Sequence, residues 1–185
     1  GFFQVAGALQ IEKSRNSVKL GDLASTKDVN ESTNAVSVDQ LTIGGSDLTA
    51  FAGINGGSED ATGLTLTGVN FALALLTERD LAPGKTAREW SALQATAATA
   101  DFVGVEGLTL AATDMSVQLN RAGADGTLVD FAAQNLKVQT GTVSKPSEIT
   151  LNLEASLGEL TRASGNIVID AFGFFQVAGA LSMEQ

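Results

Sequence analysis

From Val36 onward, apolar residues fall at every second position in short runs broken by a small or polar corner. Leu41 and Ile43 lead through Asp47 to Leu48, Ala50 and Ala52, and Leu64 and Leu66 lead through Asn70 to Phe71, Leu73 and Leu75. Leu108 and Leu110 pass through Asp114 to Met115, Val117 and Leu119, and Val129 and Phe131 pass through Asn135 to Leu136 and Val138. Period-two spacing is the mark of strands with one buried face. Asp and Asn bend a chain by bonding their own backbone and tolerate left-handed geometry. Asp47, Asn70, Asp114 and Asn135 are therefore expected at structural corners. Weaker runs start at Leu93, Ile149 and Ile167, so seven starts succeed one another at a mean step of about 21 residues, with single steps scattering between 15 and 29.

This pattern predicts an all-β chain. One architecture that fits is a β-solenoid, in which each step makes one coil stacked on the last. Eight coils would then extend the molecule by roughly 38 Å at the usual strand spacing. The alternative is an antiparallel β-sandwich or meander with hairpins at Asn55-Gly56-Gly57 and Asp125-Gly126. Phe51, Phe71, Phe102, Phe131 and Phe172 each belong to a different step, which suits a stacked aromatic file in the core. The stretch Gln10–Gln40 is the most polar, with a turn at Ser14–Ser17 and a surface loop at Asp28–Asn34. Pro83-Gly84 interrupts the pattern. Thr86-Ala87-Arg88-Glu89 reads as a capping box for a short helix from Ala87 to about Ala98, or else as a loop carrying Trp90 into a strand, which is the preferred reading.

A longer repeat frames the shorter one. The segment Gly1-Phe2-Phe3-Gln4-Val5-Ala6-Gly7-Ala8-Leu9 returns letter for letter as Gly173–Leu181, an offset of 172 residues, and Glu12 still matches Glu184. Two similar strands would share a pattern, not an identity. Residues 1–185 are therefore read as a single repeat unit of a tandem array, with residues 173–185 opening the next repeat. Its expected partners are neighbouring copies, head to tail.

Composition narrows the function classes. Eleven Lys and Arg against 21 Asp and Glu give a net charge of −10. That balance argues against nucleic acid or an anionic membrane surface as partner. The chain has no Cys, His or Tyr, which removes disulfides, thiolate zinc sites and the commonest general base. No run reaches the roughly 18 apolar residues of a membrane span, and no signal peptide is visible. Only scattered carboxylates remain for chemistry, so no enzyme activity and no cofactor are expected. Glu59 and Asp60 after Asn55-Gly56-Gly57, and Asp125 and Asp130 around a second turn, carry the oxygen ligands that calcium takes, although their spacing matches no EF-hand or nonapeptide roll. The bland reading is solvated turns. A carboxylate row through the corners, or an ice-binding ladder from Thr65, Thr67, Thr96, Thr99 and Thr109, is outweighed by structural roles.

Several strings are shared with a known group. Gly63-Leu64-Thr65-Leu66-Thr67-Gly68-Val69-Asn70-Phe71-Ala72-Leu73-Ala74-Leu75, Trp90-Ser91-Ala92-Leu93, Phe102-Val103-Gly104-Val105-Glu106-Gly107-Leu108 and Ser164-Gly165-Asn166 running into the second Gly-Phe-Phe-Gln resemble the tandem repeats of giant bacterial proteins grouped by an LEPR-XLL motif. The motif itself is absent here. The resemblance implies a secreted or surface-attached protein, adhesin-like or a structural stalk, without catalytic residues. The expected function is thus length and surface presentation in an extracellular array. Its rivals are a calcium-stiffened, carbohydrate-binding adhesin repeat and a lipid-binding β-trough of an envelope bridge, which would show a continuous exposed apolar stripe.

Overall fold

The computed structural model describes residues 2–21, 35–81 and 83–185; the expected surface loop Asp28–Asn34 lies outside them. β1 (Phe3–Gly21), β2 (Ala35–Ile54), β3 (Thr62–Glu78), β4 (Glu89–Val103) and β5 (Leu108–Arg121) pair in sequence as antiparallel neighbours. The chain then leaves the sheet. It runs through β6 (Leu128–Val129), the hairpin of β7 (Leu136–Gln139) and β8 (Glu148–Leu151), and a 3-10 turn at Ala155–Leu157. It returns beside β5 as β9 (Leu160–Ala171), which turns into β10 (Phe175–Glu184). The product is one open antiparallel sheet in the order β10-β9-β5-β4-β3-β2-β1-β6, with β7 and β8 forming a separate pair.

The meander, not the solenoid, is the architecture. The physical reason lies in strand length. β2 has 20 residues, β3 has 17 and β5 has 14, so the apolar–corner–apolar runs through Asp47, Asn70 and Asp114 are each one long strand rather than two sides of a coil, whereas the run from Val129 to Val138 is split between β6 and β7. The corner is absorbed inside the strand as an extra residue in left-handed backbone: Asp47 at φ 51°, Gly68 at φ 58° and Asp114 at φ 52°. Register shifts flank these positions, between Gly45 and Leu48 and between Thr113 and Ser116. Such a bulge bends the strand and restarts the alternation, so Leu41 and Ile43 share a face with Leu48, Ala50 and Ala52. Trp90 lies on β4, and the short helix over Ala87–Ala98 does not form. Thr96 and Thr99 are β-branched, and both edges of β4 find partners in β3 and β5.

One face of the sheet, here called the front, holds the core. Val18, Val38, Ala72, Ala74, Leu76, Trp90, Ala92 and Leu160 meet Val129, Phe131, Val138, Leu151 and Leu153 from the segment between β5 and β9. The sheet contributes small residues, with Ala72, Ala74 and Ala92 fully buried, and so the covering backbone comes close. A Cβ on Gly44 would lie 2.0 Å from the carbonyl oxygen of Gln139. The bulkier neighbours Leu73, Leu75, Leu93 and Leu119 point to the back face with Ile11, Ile43 and Val117. No described element packs over that face. Ile11 is 64% exposed.

The expected aromatic file is absent. Phe131 alone is fully buried, whereas Phe172 is 60% exposed in the turn between β9 and β10. Phe71 and Phe102 stand on the back face, and Phe51 faces the other way because it is the neighbour of Ala52, which pairs in the Leu64–Phe102 row. Phe51, Phe71 and Phe102 lie on three strands of one sheet while Phe131 and Phe172 lie in turns outside the strands, so the five share no stacking axis and the coil geometry that would have aligned them does not arise.

Candidate functional site

The corner residues occupy one band across the middle of the sheet. Asn70 lies two residues beyond Gly68 and braces the neighbouring bulge: its Nδ2 donates to the Gly68 carbonyl at 3.0 Å, and its Oδ1 accepts from the Asp47 amide at 3.0 Å. Asp114 accepts from Asn166 Nδ2 at 3.3 Å, which ties β5 to β9. Asn135 departs from this scheme. It is exposed, just ahead of β7 and outside any strand, because the run from Val129 to Val138 turns away from the sheet there.

The four acidic candidates are not brought together. Glu59 and Asp60 are exposed in the β2–β3 turn, at the end of the sheet where Ala52 pairs with Phe3. Asp125 lies at the opposite end, in the β5–β6 connection. Asp130 Oδ1 accepts the amides of Ala132 and Ala133, both at 3.1 Å, and so holds a turn. Among the described residues, no group of three or more His, Cys, Asp or Glu is arranged to hold a metal ion.

Asp125 instead belongs to a charged cluster with no sequence signal. Arg88 donates from Nε and Nη2 to the two oxygens of Glu78, at 2.8 and 2.6 Å, and from Nη1 to Asp125 at 3.1 Å. Its guanidinium lies 5.2 Å from the centre of the Trp90 ring, whose Nε1 donates to the Thr127 carbonyl at 3.0 Å. Bidentate geometry of this kind is the strong form of an ion pair. The cluster pins the β3–β4 and β5–β6 connections to each other. The Arg88 hydrogen bonds hold the Glu78 carboxyl below its ordinary value of 4.5. Burial pushes Asp125 upward, but hydrogen bonds from Thr127 and Arg88 outweigh it and leave the carboxyl below 3.8. Carboxyls depressed in the folded state add stability that is full above the unfolded values and lost as pH falls through the folded ones. Acid titration of stability should therefore be shallower for Arg88→Met than for the native chain below about pH 4.5, measured by denaturant unfolding at a series of pH values. Identical slopes would deny the cluster its part in acid sensitivity.

The front face beyond the covering hairpin is a polar shelf. One row runs Asn70, Thr96, Ser116, Ser164 and Ser182 across β3, β4, β5, β9 and β10; the next runs Thr67, Thr99, Thr113 and Asn166. Thr67 and Thr99 share a hydrogen bond of 2.8 Å. A cleft under the edge of the hairpin is lined by Ser46, Asn70, Gln94, Thr96, Thr140 and Ser147, and the buried Gln94 Oε1 there has no partner. Thr67, Thr96 and Thr99 of the threonine ladder fall on these rows, whereas Thr65 and Thr109 lie nearer the strand ends. The shelf offers hydroxyl and amide donors and acceptors, and at its edge the Thr113 hydroxyl donates to the Asp114 carboxylate at 3.4 Å. Its rows depend on register between strands far apart in sequence, which the sequence pattern does not contain.

No protein-family model matches the chain, and neither curated proteins nor solved structures yield a match. What the fold defines is a class: an open antiparallel meander with one face covered and one face bare. No helix among the described residues is long and apolar enough to cross a membrane.

Proposed function

We propose that the chain is a non-enzymatic structural module of a giant extracellular bacterial protein, in which tandem copies provide length and surface for adhesion or a fibre-like array. One observation carries this reading: the nine residues that lead into β1 return leading into β10, so two strands six steps apart in one sheet are built from the same sequence. The extracellular setting rests on the sequence resemblance. Small-angle scattering of chains with one, two and three units tests it. The maximum dimension should rise by a constant increment per unit, and particles that grow in girth instead would remove the array.

The bare apolar face favours a second reading, a lipid-binding trough. On β3, Ala72 and Ala74 are buried under the cover while Leu73 and Leu75 look outward, so the bulkier side chains of that stretch are left for something else to cover. Acyl lipids recovered by mass spectrometry from the purified protein would support the trough, and lipid-free protein would leave the array alone.

A further inference from the structure

We propose that consecutive units share one strand and one sheet, so that β1 of each copy is at the same time the last strand of the copy before it. This rests on the tandem reading and identifies the partner and the docking edge. The partner is a second copy of this sequence, and the edge is that of β1 from Phe3 to Lys13.

Four features fit one strand to both places. Direction is the first. The sheet passes from β1 through β2, β3, β4, β5 and β9 to β10, each step antiparallel, and an even number of reversals leaves β1 and β10 pointing the same way. Face is the second. The row that leaves Phe3 runs through Ala52, Leu64, Phe102, Leu110 and Ile169 to Val177, the counterpart of Val5. Odd-numbered residues of both copies therefore stand on the back face.

Edge polarity is the third and the most demanding. Successive residues of a strand aim their backbone groups to opposite sides. In β10 the odd residues bond to β9, since Gln185 and Thr161 exchange both amide bonds at 2.9 Å. In β1 the even residues bond to β2, since the Gly53 amide donates to the Phe2 carbonyl at 3.0 Å. The edge that β10 uses is thus the one that β1 leaves open. The fourth feature is room. β6 takes only the far end of that edge, through Leu20 and Gly21, with the Asp130 amide on the Lys19 carbonyl. β9 spans the counterparts of Phe3 to Lys13, so the two partners do not overlap.

Side chains agree. Across the β9–β10 pair, Gln176 Nε2 donates to Asp170 at 2.8 Å and Arg162 Nε donates to Glu184 at 2.9 Å. Both are retained in β1 as Gln4 and Glu12, and Glu12 forms no ion pair with a described residue. The junction needs no linker, because Phe172-Gly173-Phe174 is a tight turn closed by the Phe174 amide on the Ala171 carbonyl at 3.0 Å, with Phe172 and Gly173 at φ 55° and 71°. Each unit then adds six strands to an unbroken sheet, about 29 Å at the usual strand spacing, and the bare apolar face runs on from copy to copy.

Amide hydrogen exchange followed residue by residue tests this on two intact chains. In the 185-residue chain, the odd amides Val5, Leu9 and Ile11 should exchange freely while their counterparts Val177, Leu181 and Met183 are protected. In a chain of residues 1–172 followed by 1–185, the second copy of Val5, Leu9 and Ile11 should slow by about 100-fold or more relative to the first, with its even amides also protected. Odd amides that stay open at the junction of an elongated two-unit particle would overturn strand sharing while leaving the array. A two-unit chain no longer than one unit would overturn the array itself.

Discussion

Phe131→Ala should cost about 3–5 kcal/mol of folding stability, the range for emptying a fully buried aromatic site. Phe131 is 1% exposed and sits in the core cluster where the covering segment meets the sheet. Its amide also donates to the Leu153 carbonyl at 3.0 Å, so backbone and ring fix the same point of the cover. The sheet side of this cluster, with Val38, Ala72 and Trp90 on β2, β3 and β4, has ladders on both edges of each strand, and such a wall has little freedom to close on a cavity. A domain is typically stable by only about 5–15 kcal/mol, so the loss would be a large share of the total. Denaturant unfolding followed by the fluorescence of Trp90, the sole tryptophan and a member of the same cluster, measures it directly. Phe174→Ala is the contrast: at 95% exposure it should change stability by less than about 0.5 kcal/mol. A Phe131 loss below about 1 kcal/mol would mean that the cover is not packed on the sheet as described.

The strands were legible because their alternation is local. Leu41, Leu64, Leu93, Leu108, Val129, Ile149 and Ile167 each fall in a separate strand of the structure, and the chemistry of Asp at a bend places Asp47 and Asp114 in left-handed backbone. Architecture was not legible from the same signal. A solenoid side and a bulged hairpin strand both put alternate residues on one face, and they differ only in which strand lies along each edge. That choice is made by tight reversals such as Asn55–Ala61 and by the bulges, which let one strand continue where a coil would have turned.

The core was hidden for a related reason. Large residues are normally expected inside, but at the centre of the covered face Ala72, Ala74 and Ala92 stand beside Leu76 and Trp90, while Leu73, Leu75 and Leu93 stand outside. Which alternate set faces the core cannot be read from alternation alone, since a shift of one residue exchanges the faces. The Glu78–Arg88–Asp125 cluster was equally silent. Its members are separated by 10 and 37 positions and meet only because two connections converge at one end of the sheet. The polar shelf follows the same rule, being a property of register across five strands.

Proline placed at the same site in the two copies should give opposite results. Proline has no amide hydrogen, so within a sheet it is tolerated where that amide would face solvent and is costly where it would bond a neighbour. Val5 and Val177 have identical neighbours in sequence, and both are odd-numbered. The Val177 amide faces β9, opposite Ile169, whereas the Val5 amide faces the open side of β1. Val177→Pro removes a ladder bond and should cost about 1–3 kcal/mol in the β9–β10 pairing, loosen β10, and expose the β9 amides to rapid exchange. Val5→Pro should cost much less and leave the β1–β2 ladder protected, since its amide faces the open edge. In the two-unit chain the difference should vanish for the second copy, where Val5→Pro becomes as damaging as Val177→Pro because that strand now has neighbours on both sides. Equal and severe losses from both substitutions in the single unit would show that the odd edge of β1 is already occupied, and the sharing of a strand between units would fall with it.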